Sequence, residues 1–175
     1  FLLGTCADWR NMAEWPQVPG AAPNYQKMAL KQGDPTAKPG IVGAFCRAYD
    51  IRTAMDKFLP GIYTPCIMGS EERYTYTGGS TAGGAIIYDN GKFLYSHHAT
   101  DPCSMQLVNA FDLVRLHLYG DKDDSAPGNT PVSKLPSYKA MCEMAMQDSA
   151  VQAIYNKEQF AQCFLFFIGC RSFRG

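Results

Sequence analysis

The chain has 175 residues, 46% of them hydrophobic and 18% charged, enough to bury a core of its own, which excludes a wholly disordered protein. Sixteen basic residues balance sixteen acidic ones, so a free-standing nucleic-acid binder driven by basic excess is excluded too; any such contact needs a local patch or a tethered partner. The seven cysteines are odd in number, irregularly spaced and without a C-x-x-C pair, which writes neither a disulfide framework nor a zinc ribbon and suits a reducing cytosol.

Residues 1–40 carry Pro16, Pro19, Pro23, Pro35 and Pro39 and little periodicity. They read as a linker or the end of an upstream domain, with a helical turn or two between Asp8 and Trp15. Phe1-Leu2-Leu3 runs at once into Asp8-Trp9-Arg10, which is not a secretory pattern, and the chain reads as part of a longer protein. The longest apolar run, Cys163 to Ile168, falls far short of the ~20 residues of a membrane span.

Residues 41–120 are expected to form the core. Ile41, Val42, Phe45 and Ala48 share a helical face, and Asp50 caps a second helix carrying Ile51, Ala54, Met55 and Phe58 before Pro60-Gly61 stops it. Such a pair is the size of a helix-turn-helix, although most pairs of this kind are packing units. From Arg73 the period changes to two. Arg73 to Thr77 reads as a strand, and the glycine-rich stretch Gly78 to Gly84 as a flexible loop, since it lacks the lysine and following helix of a phosphate-binding loop. Ala85–Asp89 and Lys92–Ser96 form a hairpin across Asn90-Gly91, where a type I′ turn needs positive φ at both residues. Asn109 caps a helix to Tyr119, with Phe111, Val114 and Leu118 as its apolar stripe, Ala110, Leu113 and His117 beside it, and Asp112, Arg115 and Tyr119 opposite.

Residues 121–175 read as a loop, then a C-terminal helix from about Ser137 with Tyr138, Met141, Cys142, Ala145, Val151, Ile154 and Tyr155 on its apolar face. The run Phe164 to Phe167 shows no periodicity. The expected fold is therefore α+β: a helical hairpin, a small antiparallel sheet of about three strands, and packed helices.

Functional side chains are densest in Ser96-His97-His98-Ala99-Thr100-Asp101-Pro102-Cys103. Imidazoles, a carboxylate and a thiol could hold a metal and support a phosphoesterase, but adjacent histidines at a strand end face opposite ways and zinc usually takes four ligands. Asp101 and Thr100 could instead cap the loop, or a histidine could meet a phosphate backbone beside Arg115 and Lys92. Asp121-x-Asp123 has the spacing of a carboxylate pair but sits in a polar loop, and His117 reads as a satisfied core histidine.

Three segments carry a resemblance: Gly40-Ile41-Val42-Gly43-Ala44-Phe45-Cys46-Arg47, then the hairpin through Tyr95-Ser96-His97-His98-Ala99-Thr100-Asp101-Pro102, then Asn109-Ala110-Phe111-Asp112-Leu113-Val114-Arg115-Leu116-His117. In that order, over about residues 32–155, they resemble the central region of phage and prophage replication proteins of the virulence-associated protein E type, which are primase–helicase polypeptides. The resemblance implies a bacterial cytoplasm, flanking primase and helicase domains, and ATP and magnesium in the parent protein. No Walker A lysine or primase carboxylates can be placed here, so the segment itself is expected to hold no cofactor and no catalytic residue. Its expected partner is single-stranded DNA or primer–template, with contacts at His97, His98, Asp101, Asp112 and Arg115, supported by Lys92 and Arg47; a purely structural spacer is the other reading. The hairpin-then-helix layout also resembles a primase zinc ribbon with Ser96 and the histidines in place of cysteines.

Overall fold

The computed structural model describes residues 25–68 and 71–171, with an α+β fold as the sequence implies. Two short helices, α1 (Tyr25–Gln32) and α2 (Gly40–Ala48), lead into α3 (Ile51–Phe58). Five strands follow, β1 (Tyr63–Met68), β2 (Glu71–Tyr76), β3 (Ala85–Tyr88), β4 (Phe93–Ser96) and β5 (Leu107–Val108), then α4 (Ala110–Tyr119), α5 (Pro136–Gln147) and α6 (Ser149–Arg171). The strands form one antiparallel meander in sequence order.

The local signals at α3 and α4 operate as expected. Asp50 Oδ1 accepts from the Thr53 N–H at 2.9 Å, and Asn109 Oδ1 from the Asp112 N–H at 3.0 Å, each satisfying a donor that the first helical turn leaves without a partner. Asn90 (φ 52°) and Gly91 (φ 90°) both have positive φ, and the Lys92 N–H closes on the Asp89 carbonyl. Asp89 also has positive φ, so the ladder closes at Tyr88↔Phe93, one pair earlier than a two-residue loop would close it.

The sheet has two covered faces, set by the alternation of side chains along each strand. Ala85, Ile87, Leu94 and Val108 join Tyr63 and the helices in the main core around Phe45, Phe111, Leu113 and Met141. Phe93, Tyr95 and Leu107 face the other way, where Tyr25, Met28 and Ala29 of α1 cover part of the surface and Tyr25 stacks on Tyr88 at 4.0 Å.

Four expectations need correction. The sheet has five strands rather than about three. β1 was obscured by Pro65, which an edge strand tolerates because its outward N–H has no ladder partner to lose, and β5 is too short to show a period. α1 lies inside the proline-bearing segment read as linker; its Tyr25, Met28, Ala29 spacing is a helical stripe one turn long. The C-terminal helix is two helices, parted at Asp148, whose extended backbone and Oδ1 acceptance from Ala150 and Val151 N–H start α6 afresh. The 120–136 loop contains two 3-10 turns, at Gly120–Asp123 and Val132–Lys134. The helical turns expected between Asp8 and Trp15 lie outside the described residues. No helix among the described residues is long and apolar enough to cross a membrane.

Candidate functional site

His98 leaves β4 on the core side and is 2% exposed. Its Nε2 faces two backbone donors, the N–H groups of Tyr76 and Gly84, each at 3.2 Å. These are the places where β2 and β3 diverge beyond their last pair, so the imidazole takes the position of a missing ladder acceptor. Because Nε2 accepts, the ring proton sits on Nδ1 and is donated to Thr81 Oγ1 at 3.0 Å. The ring approaches the backbone so closely that a Cβ on Gly84 would lie 2.8 Å from Nε2, and one on Gly79 3.0 Å from Nδ1. Glycine at these two positions serves contact with His98.

Asp101 forms a second hub. Its carboxylate accepts from Ser96 Oγ at 2.6 Å, Tyr63 Oη at 2.7 Å and the Cys103 N–H at 2.8 Å, and lies 3.3 Å from His117 Nε2. The Tyr63 oxygen is 2.8 Å from His117 Nε2, so a phenol proton given to Asp101 leaves that oxygen free to accept from an Nε2–H. Burial acts most strongly on Asp101 and raises its pKa, but the contacts from His117, Ser96, Cys103 and Tyr63 outweigh it, so the carboxyl stays below the usual range. Burial pushes the Cys103 thiol and the Tyr63 phenol well up. The ligand atoms of Asp101, Cys103 and His117 lie within 4.8 Å of one another. The carboxylate's donors and the protonated thiol account for this closeness by hydrogen bonding and packing.

Arg115 belongs to a third cluster. Its Nε donates to Asp112 Oδ1 at 3.0 Å and its Nη1 to Ser137 Oγ at 2.8 Å, with Asp123 Oδ2 at 3.6 Å. Ser137 in turn donates its N–H and hydroxyl to Asp123. Arg115 is therefore buried at 6% exposure, and the expectation that it projects to solvent is wrong. The helix face is rotated from the stripe read in the sequence: Leu113 is fully buried while Leu118 is 41% exposed. The cause is α5, which brings Ser137 against that side of α4.

The other candidates are dispersed. His97 is exposed, at 4.8 Å from the Tyr95 ring, and its pKa is lowered first by desolvation against the sheet and then by positive Arg73. Lys92 pairs with Asp34 at 2.7 Å, which holds the Asp34 carboxyl near pKa about 2. Arg47 pairs with Glu158 at 2.6 Å and also donates to the Thr36 and Lys38 carbonyls. Asp112 is engaged by Arg115 and Asn109. Asp121 is exposed while Asp123 serves Ser137, so the D-x-D pair does not act as a unit. His97, His98 and Asp101 do not converge: His98 faces amides, Asp101 faces Ser96 and Tyr63, and His97 faces outward.

Comparison with protein-family models, curated protein sequences and solved structures returns no match. The sequence reading missed Tyr63, Tyr76, Thr81, Asp123 and Ser137 as members of these networks. All but Asp123 lie at least fourteen residues from the histidine, carboxylate or arginine they contact, and no local spacing marks them.

Proposed function

We propose that this chain is the non-catalytic middle segment of a phage-type DNA primase–helicase, touching single-stranded template or primer DNA or joining primase to helicase. One observation carries the reading: two of the three segments that bear the resemblance, Tyr95–Pro102 and Asn109–His117, fold against each other through Asp101 and His117. Apart from the exposed His97, their acid, base and cationic side chains are engaged by other groups of the protein. This favours a scaffold over the phosphoesterase reading, which needs His97, His98 and Asp101 around one ion. His98 also joins the 76–84 loop to the turn that follows β4, the two segments that a ribbon's metal would join.

DNA contact then falls to the exposed His97, with Lys92 and Arg47 as attenuated, ion-paired support. Binding is expected to be weak and salt-sensitive, and to tighten as His97 protonates below the ordinary pH of ~6.5. Fluorescence-anisotropy titration of labelled single-stranded DNA, at two salt concentrations and several pH values, tests this. His97→Ala should remove the tightening at low pH. Equal binding by both proteins, or none at low salt, would favour the spacer role.

A further inference from the structure

We propose that His98 is a protonation-sensitive pin: the loop from Thr77 to Gly84 is held while Nε2 accepts, and is released when Nε2 takes a proton. This stands apart from the DNA reading and can hold or fail without it.

The neutral ring has a single in-plane lone pair at Nε2, and two backbone N–H groups point at it from 3.2 Å. A proton there turns the shared acceptor into a donor facing two donors. Both amides lie beside a ring that is almost completely buried, where water cannot take over the role. The segment they anchor has glycine at 78, 79, 83 and 84, so it gains a large share of backbone freedom once released. The segment's other ties do not involve the His98 ring: Thr77 to the Gly61 and Ile62 carbonyls, the Gly79 N–H to the Tyr76 carbonyl, the Gly83 N–H to Thr75 Oγ1, the Thr100 hydroxyl to the Gly78 carbonyl, the Arg73 guanidinium to the Gly83 carbonyl, and the His97 N–H to the Gly84 carbonyl.

The titratable groups around the ring do not supply a compensating acceptor. Tyr76 of β2 presents its ring at 6.2 Å, with His117 of α4 beyond it, and His97 on the same strand end faces outward beside Arg73. Asp101 meets His98 through the backbone, its N–H on the His98 carbonyl, and its carboxylate is turned to Ser96 and Tyr63. Among the described residues no carboxylate accepts from the His98 ring. The imidazolium would therefore have no counter-charge, with Nδ1–H still on Thr81 but Nε2–H without an acceptor, and opening the loop is the way that Nε2–H reaches water.

The test uses the full chain labelled with nitrogen-15. Long-range proton–nitrogen spectra at pH ~8 should show His98 with its proton on Nδ1 and Nε2 bare. Hydrogen-exchange protection factors for the Tyr76 and Gly84 amides, corrected for intrinsic rate, should fall by roughly tenfold or more as the ring titrates, the factor expected when buried donors lose their acceptor. Leu113 in α4 should keep its protection. His98→Gln places a non-titrating acceptor near Nε2 and should abolish the pH dependence. If that variant does not fold, Thr81→Val serves instead: it removes the oxygen that receives Nδ1–H and should lower Gly84 protection while leaving Leu113 unchanged. An Nε2–H tautomer, or Tyr76 and Gly84 protection that does not change with the protonation state of the ring, would each overturn the proposal.

Discussion

Asp101→Asn separates hydrogen bonding from shape at the buried hub, because asparagine has nearly the same volume and keeps one oxygen. The fixed donor in the site is the Cys103 N–H, so the asparagine oxygen should turn there and its NH2 toward Ser96 and Tyr63. Both hydroxyls can rotate and accept, but three charge-assisted bonds become neutral ones and the His117 contact loses its anionic partner. With charged hydrogen bonds contributing about 1.5–3 kcal/mol and neutral ones about half that, the expected loss is about 2–4 kcal/mol. For a chain of this size that is about 5–15 °C in melting temperature. Urea denaturation followed by circular dichroism measures it.

The pH dependence makes the reasoning refutable. The Asp101 pKa is lowered on folding, so its stabilisation is fully present above the unfolded value of ~3.9 and is lost as pH falls through the folded one. Wild type and Asp101→Asn should therefore differ most near neutrality and converge in acid, where the protonated carboxyl resembles the amide. Asp50, Glu72 and Asp148 have lowered values as well, but they titrate in both proteins and cancel from the difference. A gap of the same size at pH ~7 and pH ~3, or a gap below about 1 kcal/mol throughout, would show that the carboxylate is not the hub described.

Gly91→Val should cost about 2–4 kcal/mol, because φ is +90° and the new Cβ would lie 2.5 Å from Arg52 Nη1 and 2.8 Å from Asp50 Oδ2, disturbing the α3 cap as well as the turn; an unchanged urea midpoint would contradict it. Arg115→Met should cost about 2–4 kcal/mol, somewhat under the usual figure for a broken buried pair because Asp112 and Asp123 can regain water. The same variant should leave the salt dependence of DNA binding unchanged, and a flatter dependence in the anisotropy titration would return Arg115 to the contact surface.

What could be read from the sequence was what nearest neighbours decide. The caps at Asp50 and Asn109 and the positive φ at Asn90-Gly91 are written within four residues, and the structure keeps them. Opposite orientation of His97 and His98 follows from strand alternation, and the His117 side chain is buried and partnered by Tyr63 and Asp101. Burial of Arg115 was not legible, since it depends on Ser137, twenty-two residues on and across a loop. A helix periodicity argument treats arginine as polar and assigns it to the wet side. Here a serine and two carboxylates make the dry side hospitable to it.

The same reasoning explains why the chain's most chemical-looking segment is an architectural one. Eight residues from Ser96 to Cys103 tie together elements that share few ladder bonds: Asp101 reaches β1 through Tyr63 and α4 through His117, while His98 reaches β2 and the glycine loop. A turn at the end of a sheet leaves backbone donors without partners, and burying them without acceptors costs more than burying a matched pair gains. Imidazole nitrogen and carboxylate oxygen are the side-chain acceptors suited to that task, and they are also the groups that catalysis uses. Residue type alone therefore cannot separate a hub from a site. Satisfaction can: an active-site acid or base must keep a face for its substrate, whereas His98 and Asp101 have theirs turned to the protein. His97 retains an open face, which is why the DNA-contact proposal rests on it.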